Sequence, residues 1–415
     1  MTIFTHKFRL KDVTEIQVGF PFKSAEYSDT GIKLLRGDNI GQGFLQWNGV
    51  KFWPIEKSSH LSQYILQKDD VVIAMDRPWI SSGLKYSVIH HENDRTLLVQ
   101  RVARLRSLPD IHKYILPYII GSRNFTNYVL SVQTGTTIPH ISLDQIGDYE
   151  FFAPPIKEQE KIGSLLRRLD DKIDLNRRTN ETLEAMARAL FRDWFVDFGP
   201  TRAKMAGEAP YLAPELWELF PDRLDDEGKP EGWRIASIDS LCRITSGKRP
   251  PNKETSPSDE NPVPVYGGNG ISWFTKDVLF NQPFLITGRV GTLGTVFRIN
   301  EKCWVSDNAL CLFPKIDSYF EYLYFIVSGI DFQSLNSGST QPLLTQSSLL
   351  SQECILPAEE IITIFHTQIS VWFEMQQQLE KESHTLVQLR DLLLPKLMSG
   401  EISIRDAEKM VEDAA

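Results

Sequence analysis

Several short patterns in this 415-residue chain carry residue types that chemistry needs. Ser82-Gly83-Leu84-Lys85 has the S-x-x-K spacing of some acyl transferases. His90-His91 and the Asp193/Asp197 pair could begin metal sites, and Gly288-Arg289-Val290-Gly291-Thr292-Leu293-Gly294 has the glycines of a phosphate cradle. Each lacks its second requirement. S-x-x-K recurs by chance and suits a phosphate-binding loop lysine equally well. The His and Asp pairs have no further ligand at metal spacing. Glycines three apart, with no helix pattern behind them, are turn glycines that let backbone approach a ligand closely. The chain also has no Asn/Asp-Pro-Pro-Tyr/Phe motif to grip an adenine amino group, no G-x-G-x-x-G after a strand and no G-x-x-x-x-G-K-[ST] phosphate loop. No catalytic residue and no metal site is expected.

The polar residues that remain suit binding. Arg and Lys take phosphates or the O6/N7 edge of guanine, and Asn or Gln the N6/N7 edge of adenine. Glycine-rich loops present such side chains in both halves of the chain. The candidates are Lys23, Arg36, Asn39, Arg77, Lys85, Gln133 and Thr136 in the first half, and Lys248, Arg249, Asn269, Arg289, Ser339 and Gln341 in the second. A formal charge of -9 taken as a whole opposes a nucleic-acid partner, but its distribution does not. Residues 1–153 carry 17 Lys/Arg against 15 Asp/Glu, and residues 233–356 carry 10 against 11, so the excess acid lies elsewhere. Phosphate attraction must therefore come from local clusters or a partner subunit.

Long helices must position these loops. From Pro154 to Phe198 apolar residues recur every seven positions: Leu166, Ile173, Ala187 and Trp194 form one row, and Ile162, Leu169, Leu183 and Leu190 the other. That is the stripe of a coiled coil. Pro154 and Pro155 can open the helix, and Glu158 and Glu160 suit its positive end. Such a stripe needs a partner, supplied by Trp372, Leu379, Leu386 and Leu393 with Met375 and Leu389, after Pro357-Ala358-Glu359-Glu360. Asn176, Asn180 and Glu382 are polar positions that can fix register. Pro395 should kink or end the second helix nearby. The predicted organisation is a strand-rich α/β domain over 1–153, a helix over 154–198, a linker over 199–232, a second domain over 233–356, a helix over 357–400 and a polar tail over 401–415.

The halves repeat. Thr134-Gly135-Thr136-Thr137-Ile138-Pro139-His140-Ile141 matches Ser337-Gly338-Ser339-Thr340-Gln341-Pro342-Leu343-Leu344 at an offset that holds onward to Pro154/Pro357 and Leu190/Leu393. Val13, Ile16 and Gly19 match Leu241, Ile244 and Gly247, and Arg36-Gly37-Asp38-Asn39-Ile40 resembles Tyr266-Gly267-Gly268-Asn269-Gly270-Ile271. Two copies of a domain-plus-helix unit can satisfy both stripes by pairing their helices antiparallel about a pseudo-twofold axis, the domains at opposite ends of a rod. The expected class is α+β, with two strand-rich domains joined by two antiparallel coiled-coil helices. The cysteines, Cys242, Cys303, Cys311 and Cys354, form no C-x-x-C pair and are expected as buried thiols. No apolar run is long enough for a membrane helix and Met1–Lys7 is no signal peptide, so a cytoplasmic location is expected.

The Thr-Gly-Thr-Thr-Ile-Pro-His-Ile segment, the Pro-Pro-Ile-x-Glu-Gln run into the helix, Leu190-Phe191-Arg192-Asp193-Trp194-Phe195-Val196-Asp197-Phe198 and Leu394-Pro395-Lys396-Leu397-Met398-Ser399-Gly400-Glu401 resemble conserved segments of the specificity subunit of type I restriction-modification enzymes. The resemblance covers almost the whole chain; the second repeat departs from it with Thr340-Gln341-Pro342-Leu343. It implies a non-catalytic subunit that reads a bipartite, asymmetric sequence in double-stranded DNA. Two methyltransferase subunits using S-adenosylmethionine would methylate adenine N6, and translocase/nuclease subunits using ATP and Mg would restrict. No cofactor is expected in this chain. The competing readings are a detached specificity module of a single-chain restriction-methylation enzyme and a coiled-coil scaffold with two protein-binding domains.

Overall fold

The computed structural model of the chain describes residues 6–81, 83–90, 95–135, 137–291, 293–338 and 342–414. Two compact units emerge, one of residues 1–176 with 380–415 and one of residues 177–379. Each unit thus holds one strand-rich domain, half of its own long helix and half of the other.

In the first unit a four-stranded antiparallel sheet has the order Thr14–Val18, Val102–Ser107, Val71–Ala74, Tyr86–Val88. The run Val71-Val72-Ile73-Ala74 shows why an unbroken apolar segment forms a strand here. Alternate side chains leave opposite faces of a strand. Val71 and Ile73 enter the core shared with the helices, while Val72 and Ala74 enter a second core with Leu35, Ile40 and Leu98. The sheet is therefore buried on both faces. A three-stranded sheet, Lys51–Trp53, Ile32–Leu35, Thr96–Leu98, has its last pair parallel, and His6–Arg9 pairs with Glu150–Ala153.

The second unit repeats these three sheets; the short hairpin Trp79–Ile80 with Gly83–Leu84 in the first unit has no counterpart among its described strands. Its four-stranded order is Cys242–Ser246, Ala309–Pro314, Phe284–Gly288, Val296–Ile299; its three-stranded order is Gly270–Thr275, Val263–Gly267, Trp304–Val305, again with a parallel last pair; Arg234–Ser237 pairs with Glu353–Leu356. Gly19 and Gly247 occupy the same place, where a Cβ would lie 2.2 Å from backbone of Val99 or Ser306. Only glycine fits there.

The first long helix runs Ile156–Phe195 and the second Glu359–Ser399. The Pro155 carbonyl accepts from Glu158 and Gln159 N–H, starting the helix, and Gln159 ties it to the domain by donating to the Pro154 carbonyl and accepting from His112 N–H. Within the first unit, Ile162, Leu165, Leu166 and Leu169 pack with Leu386, Leu389, Leu393 and Leu397, Ile173 lying at the edge. The pairing is antiparallel: Asp170 meets Arg390 at 2.7 Å, and Asn176, further along the first helix, donates to Glu382 at 2.7 Å, further back on the second. In the second unit Asn180 donates to the Gln376 carbonyl at 3.4 Å, and Gln376 returns a bond to the Asn180 carbonyl at 2.8 Å. Reciprocal polar pairs of this kind hold a register that aliphatic residues alone leave loose. Leu183 is buried, and Ala187 and Trp194 pack with Phe365, Ile369 and Phe373, with Leu190 and Trp372 at the edge. Leu379 is half-buried.

Three expectations need correction. Met375 is 46% exposed, because Phe373 and Gln376 face inward in its place. Over Phe365, Ile369, Phe373 and Gln376 the buried positions follow the natural 3.6-residue turn, which drifts from a strict heptad. The second helix ends at Ser399, one turn past Pro395, which agrees with the expectation that it ends nearby. Residues 199–232 are no mere linker: they form helices Gly199–Ala206 and Pro214–Trp217 and bury Ala203, Trp217 and Phe220. Single large anchors do this without any periodicity. Residues 401–415 are not only a polar tail, since Ile404–Ala414 is a helix with Ala407 buried against the first unit's core and Glu408 3.2 Å from Arg168.

The cysteines behave as expected of buried thiols. All four are unpaired and buried, and burial pushes Cys242, Cys303 and Cys311 up to about 12 and Cys354 up to about 11. The thiolate is the reactive form. A colorimetric disulfide reagent at pH 8 should therefore leave the native chain unmodified over minutes and release four thiolate equivalents in denaturant; fast native modification would refute this burial. Among the described residues no helix is long and apolar enough to cross a membrane, and no group of His, Cys, Asp and Glu is arranged to hold a metal ion.

Candidate nucleic-acid interface

In the first unit three loops converge beyond the ends of the four-stranded sheet. The Thr134–His140 loop is closed by paired backbone bonds of 2.9 and 2.8 Å and by the Thr134 hydroxyl 3.0 Å from His140 Nε2. Its Gly135 has φ +91°, and a Cβ there would lie 2.6 Å from the Ile138 carbonyl. The loop anchors its neighbour, for Pro139 accepts from Arg77 N–H at 2.6 Å, holding Arg77 in the left-handed region at φ 45°. A non-glycine residue so placed is uncommon, and it turns the exposed Arg77 side chain outward. Lys85 donates to the Gly37 carbonyl at 2.5 Å, beside Arg36. Burial lowers its pKa, partly offset by Asp38, with Arg77 lowering it further. Arg36 itself lies 3.6 Å from Asp38. Arg36, Arg77 and Lys85 are thus brought together, with Trp79, Ile80 and Ile138 exposed on the same loops. Gln133 is half-buried at the end of helix Arg123–Val132, immediately before the loop. Lys23 is exposed on a separate turn, and no described contact joins it to this group. Thr136 lies outside the described residues.

Asn39 is corrected. It is 1% exposed, its Oδ1 accepts from Arg36 N–H at 3.1 Å and its Nδ2 donates to the Gln46 carbonyl at 3.0 Å, so its amide shapes the loop and offers no edge to a base. The supposed match to Asn269 is one residue out. The Leu35 carbonyl accepts from Val99 N–H as the Tyr266 carbonyl does from Ser306 N–H, which places Asp38 opposite Asn269. Asn39→Ala should cost about 1–3 kcal/mol of first-unit stability, the penalty for unpaired buried partners. Urea unfolding checks this, and an unchanged midpoint would show that the loop holds without it.

The second unit converges in the same way. Gly247 packs on Val305 and Ser306, and Lys248 beyond it is clamped through its backbone, its N–H donating to Val305 at 2.8 Å and its carbonyl accepting from Trp304 Nε1 at 2.7 Å. The Lys248 and Arg249 side chains are exposed. Asn269 is exposed in the two-residue turn between strands 263–267 and 270–275. The adjoining Gly268 abuts Gly288, where a Cβ would lie 2.8 Å from the Gly288 Cα. Arg289 follows, half-buried, with Nη1 3.5 Å from Ser246 Oγ, and Gln346 Nε2 donates to the same Oγ at 3.0 Å. Gly291 N–H donates to the Pro342 carbonyl, joining these loops to the 337–343 loop. Ser339 and Gln341 lie outside the described residues. Ser246 and Gln346 were missed in the sequence because they are 100 residues apart and neither stands in a glycine-rich loop.

Each unit is thus a twice-used scaffold carrying loops with basic and amide side chains. The profile of the type I restriction modification DNA specificity domain matches the chain twice, over residues 5–185 and 230–382, and the chain belongs to that family. It is similar to the type I restriction enzyme HindI specificity subunit of Haemophilus influenzae, 28% identical over 407 residues covering 81% of this chain and 87% of the relative. The MjaIX specificity subunit of Methanocaldococcus jannaschii is 26% identical over 316 residues, 70% of this chain and 69% of that one. The crystal structure of the S subunit of a type I restriction-modification system from M. genitalium shares the fold, with a TM-score of 0.61 at 14% identity over 95% and 96% of the two chains.

Proposed function

We propose that the chain is the DNA sequence-recognition subunit of a type I restriction-modification complex. Each unit reads one half of a bipartite, asymmetric target in double-stranded DNA. The chain thereby directs adenine-N6 methylation by two methyltransferase subunits, which bring S-adenosylmethionine, and restriction by translocase/nuclease subunits, which bring ATP and Mg. The observation that carries the reading is the repetition. The two units share a topology, and corresponding loops of both bring together Arg and Lys with hydrogen-bonding side chains. Lys23, Lys248, Arg249 and Arg77 suit phosphates, and Arg36, Lys85, Gln133, Asn269 and Arg289 suit base edges or adjacent phosphates.

The decisive experiment exchanges residues 1–153 for the corresponding domain of a relative, co-expresses the chimera with the methyltransferase subunits and maps methylated adenines genome-wide. One half of the motif should change and the other persist. A change in both halves, or none, would overturn the assignment of one half-site to each unit. Incubating the purified chain with DNA and labelled S-adenosylmethionine should give no methyl incorporation; incorporation without partner subunits would make it an enzyme in its own right.

A further inference from the structure

The repeat provides an internal control for which residues the fold requires. Strand registers and equivalent backbone bonds pair Val18 with Ser246, Ile73 with Thr287 and Met75 with Arg289: Val18 and Ile73 flank Ala103 as Ser246 and Thr287 flank Leu310. Met75 accepts from Ile141 N–H as Arg289 accepts from Leu344 N–H. Leu143 and Gln346 correspond as the first residues of helices capped by Ser142 and Thr345. In the first unit all four positions are apolar, and Val18, Ile73, Met75 and Leu143 pack in one core. In the second unit all four are polar. The scaffold therefore does not need polarity here, and in the second unit the polarity is not fully satisfied. Among the described residues Thr287 Oγ1 and Arg289 Nε are buried with no partner, and Arg289 Nη1 has only the long 3.5 Å bond to Ser246. Unpaired buried polar atoms destabilise a fold, so the placement of the half-buried Arg289 guanidinium at the loop end of the sheet, where the first unit has Met75, calls for a ligand.

From this we infer that Arg289, positioned by Ser246 and Gln346, reads a guanine in the half-site bound by the second unit. The inference rests on the DNA-recognition reading above. A guanidinium offers only donors, and guanine presents two adjacent acceptors, N7 and O6, in the major groove, where adenine presents one acceptor and one donor. Ser246, Arg289 and Gln346 are each half-buried, so the cluster reaches solvent, and the Gln346 amide fixes the Ser246 hydroxyl against which the guanidinium leans. The first unit, with Met75 in the equivalent place, reads its half-site without such a group.

The test borrows the first unit's solution. Arg289→Met and Gln346→Leu install side chains that the equivalent site already packs. Wild-type and variant chains, assembled with their methyltransferase subunits, select duplexes from a random-sequence pool, and thermal unfolding is measured in parallel. The wild-type motif should contain a guanine in the second half-site. Arg289→Met should reduce preference for it by roughly 5- to 150-fold, the range for one bidentate contact, leaving the first half-site, the salt slope and the unfolding midpoint unchanged or the midpoint raised. Gln346→Leu should weaken preference at the same position to a smaller extent, and it carries the test should Arg289→Met unfold. A second half-site without guanine, an unchanged motif, or a uniform loss for all sequences with a shallower salt dependence, as a phosphate contact gives, would overturn the inference while the recognition function stands. Failure of the wild-type complex to select any bipartite motif would remove both.

Discussion

Replacing Trp194 with alanine is expected to lower the stability of the second unit by about 3–5 kcal/mol, the range for emptying a large aromatic site in a packed core. Trp194 is 1% exposed on the first long helix, its ring 5.3 Å from Phe220 at 76° and 5.9 Å from Phe365 at 59°. It therefore joins three separate parts of the chain: the helix, the 199–232 segment and the start of the second helix. Two independent edges cannot collapse into the cavity without dragging whole helices. Trp194→Phe keeps an aromatic ring and removes an indole N–H that has no partner among the described residues, so it should cost much less. Chemical unfolding monitored by circular dichroism measures both. A loss below about 1 kcal/mol for the alanine variant would mean that the site relaxes and that this core is not close-packed.

The second large effect is expected at Asp70 in the first unit. Its carboxylate is 1% exposed, accepts from Arg106 Nε at 2.7 Å and Nη2 at 2.8 Å, and also accepts from Gln67 N–H at 2.7 Å. This bidentate pair locks the turn that enters strand Val71–Ala74 to the neighbouring strand Val102–Ser107. Asp70→Ala strands the guanidinium and the backbone donor together. Breaking a buried pair costs about 3–5 kcal/mol, and because Arg106 retains 28% side-chain exposure the expected loss is discounted to about 2–4 kcal/mol. Asp70→Asn keeps an acceptor for Gln67 and should lose less. Urea midpoints of both variants at low and high salt decide the matter: a loss that vanishes in high salt would mark the pair as solvent-screened, contrary to its burial.

What the sequence determined by itself were features written in local order. Seven-residue spacing of Leu166, Ile173, Leu386 and Leu393 located two helices, because a helix must turn one face to its partner whatever else the chain does. The Thr134–Ile141 and Ser337–Leu344 match revealed the repeat, and backbone bonds later proved equivalent on both sides of it. Tertiary structure alone decided matters that depend on neighbours distant in sequence. Asn39 and Asn269 read alike as loop amides, yet one is enclosed by its own loop and the other stands at a turn, since a loop's fold is set by the strands that flank it. Met375 fits a heptad, but the facing residues select Phe373 and Gln376. Trp217 and Phe220 sit in a stretch whose composition resembles a linker, and only the aromatic cluster around Trp194 makes them core. Ser246, Arg289 and Gln346 meet because two strands and a helix start end at one place. Arg289 stood out in its glycine-rich loop, but Ser246 and Gln346 did not in theirs, and a cluster assembled from three segments leaves no single local pattern in the sequence.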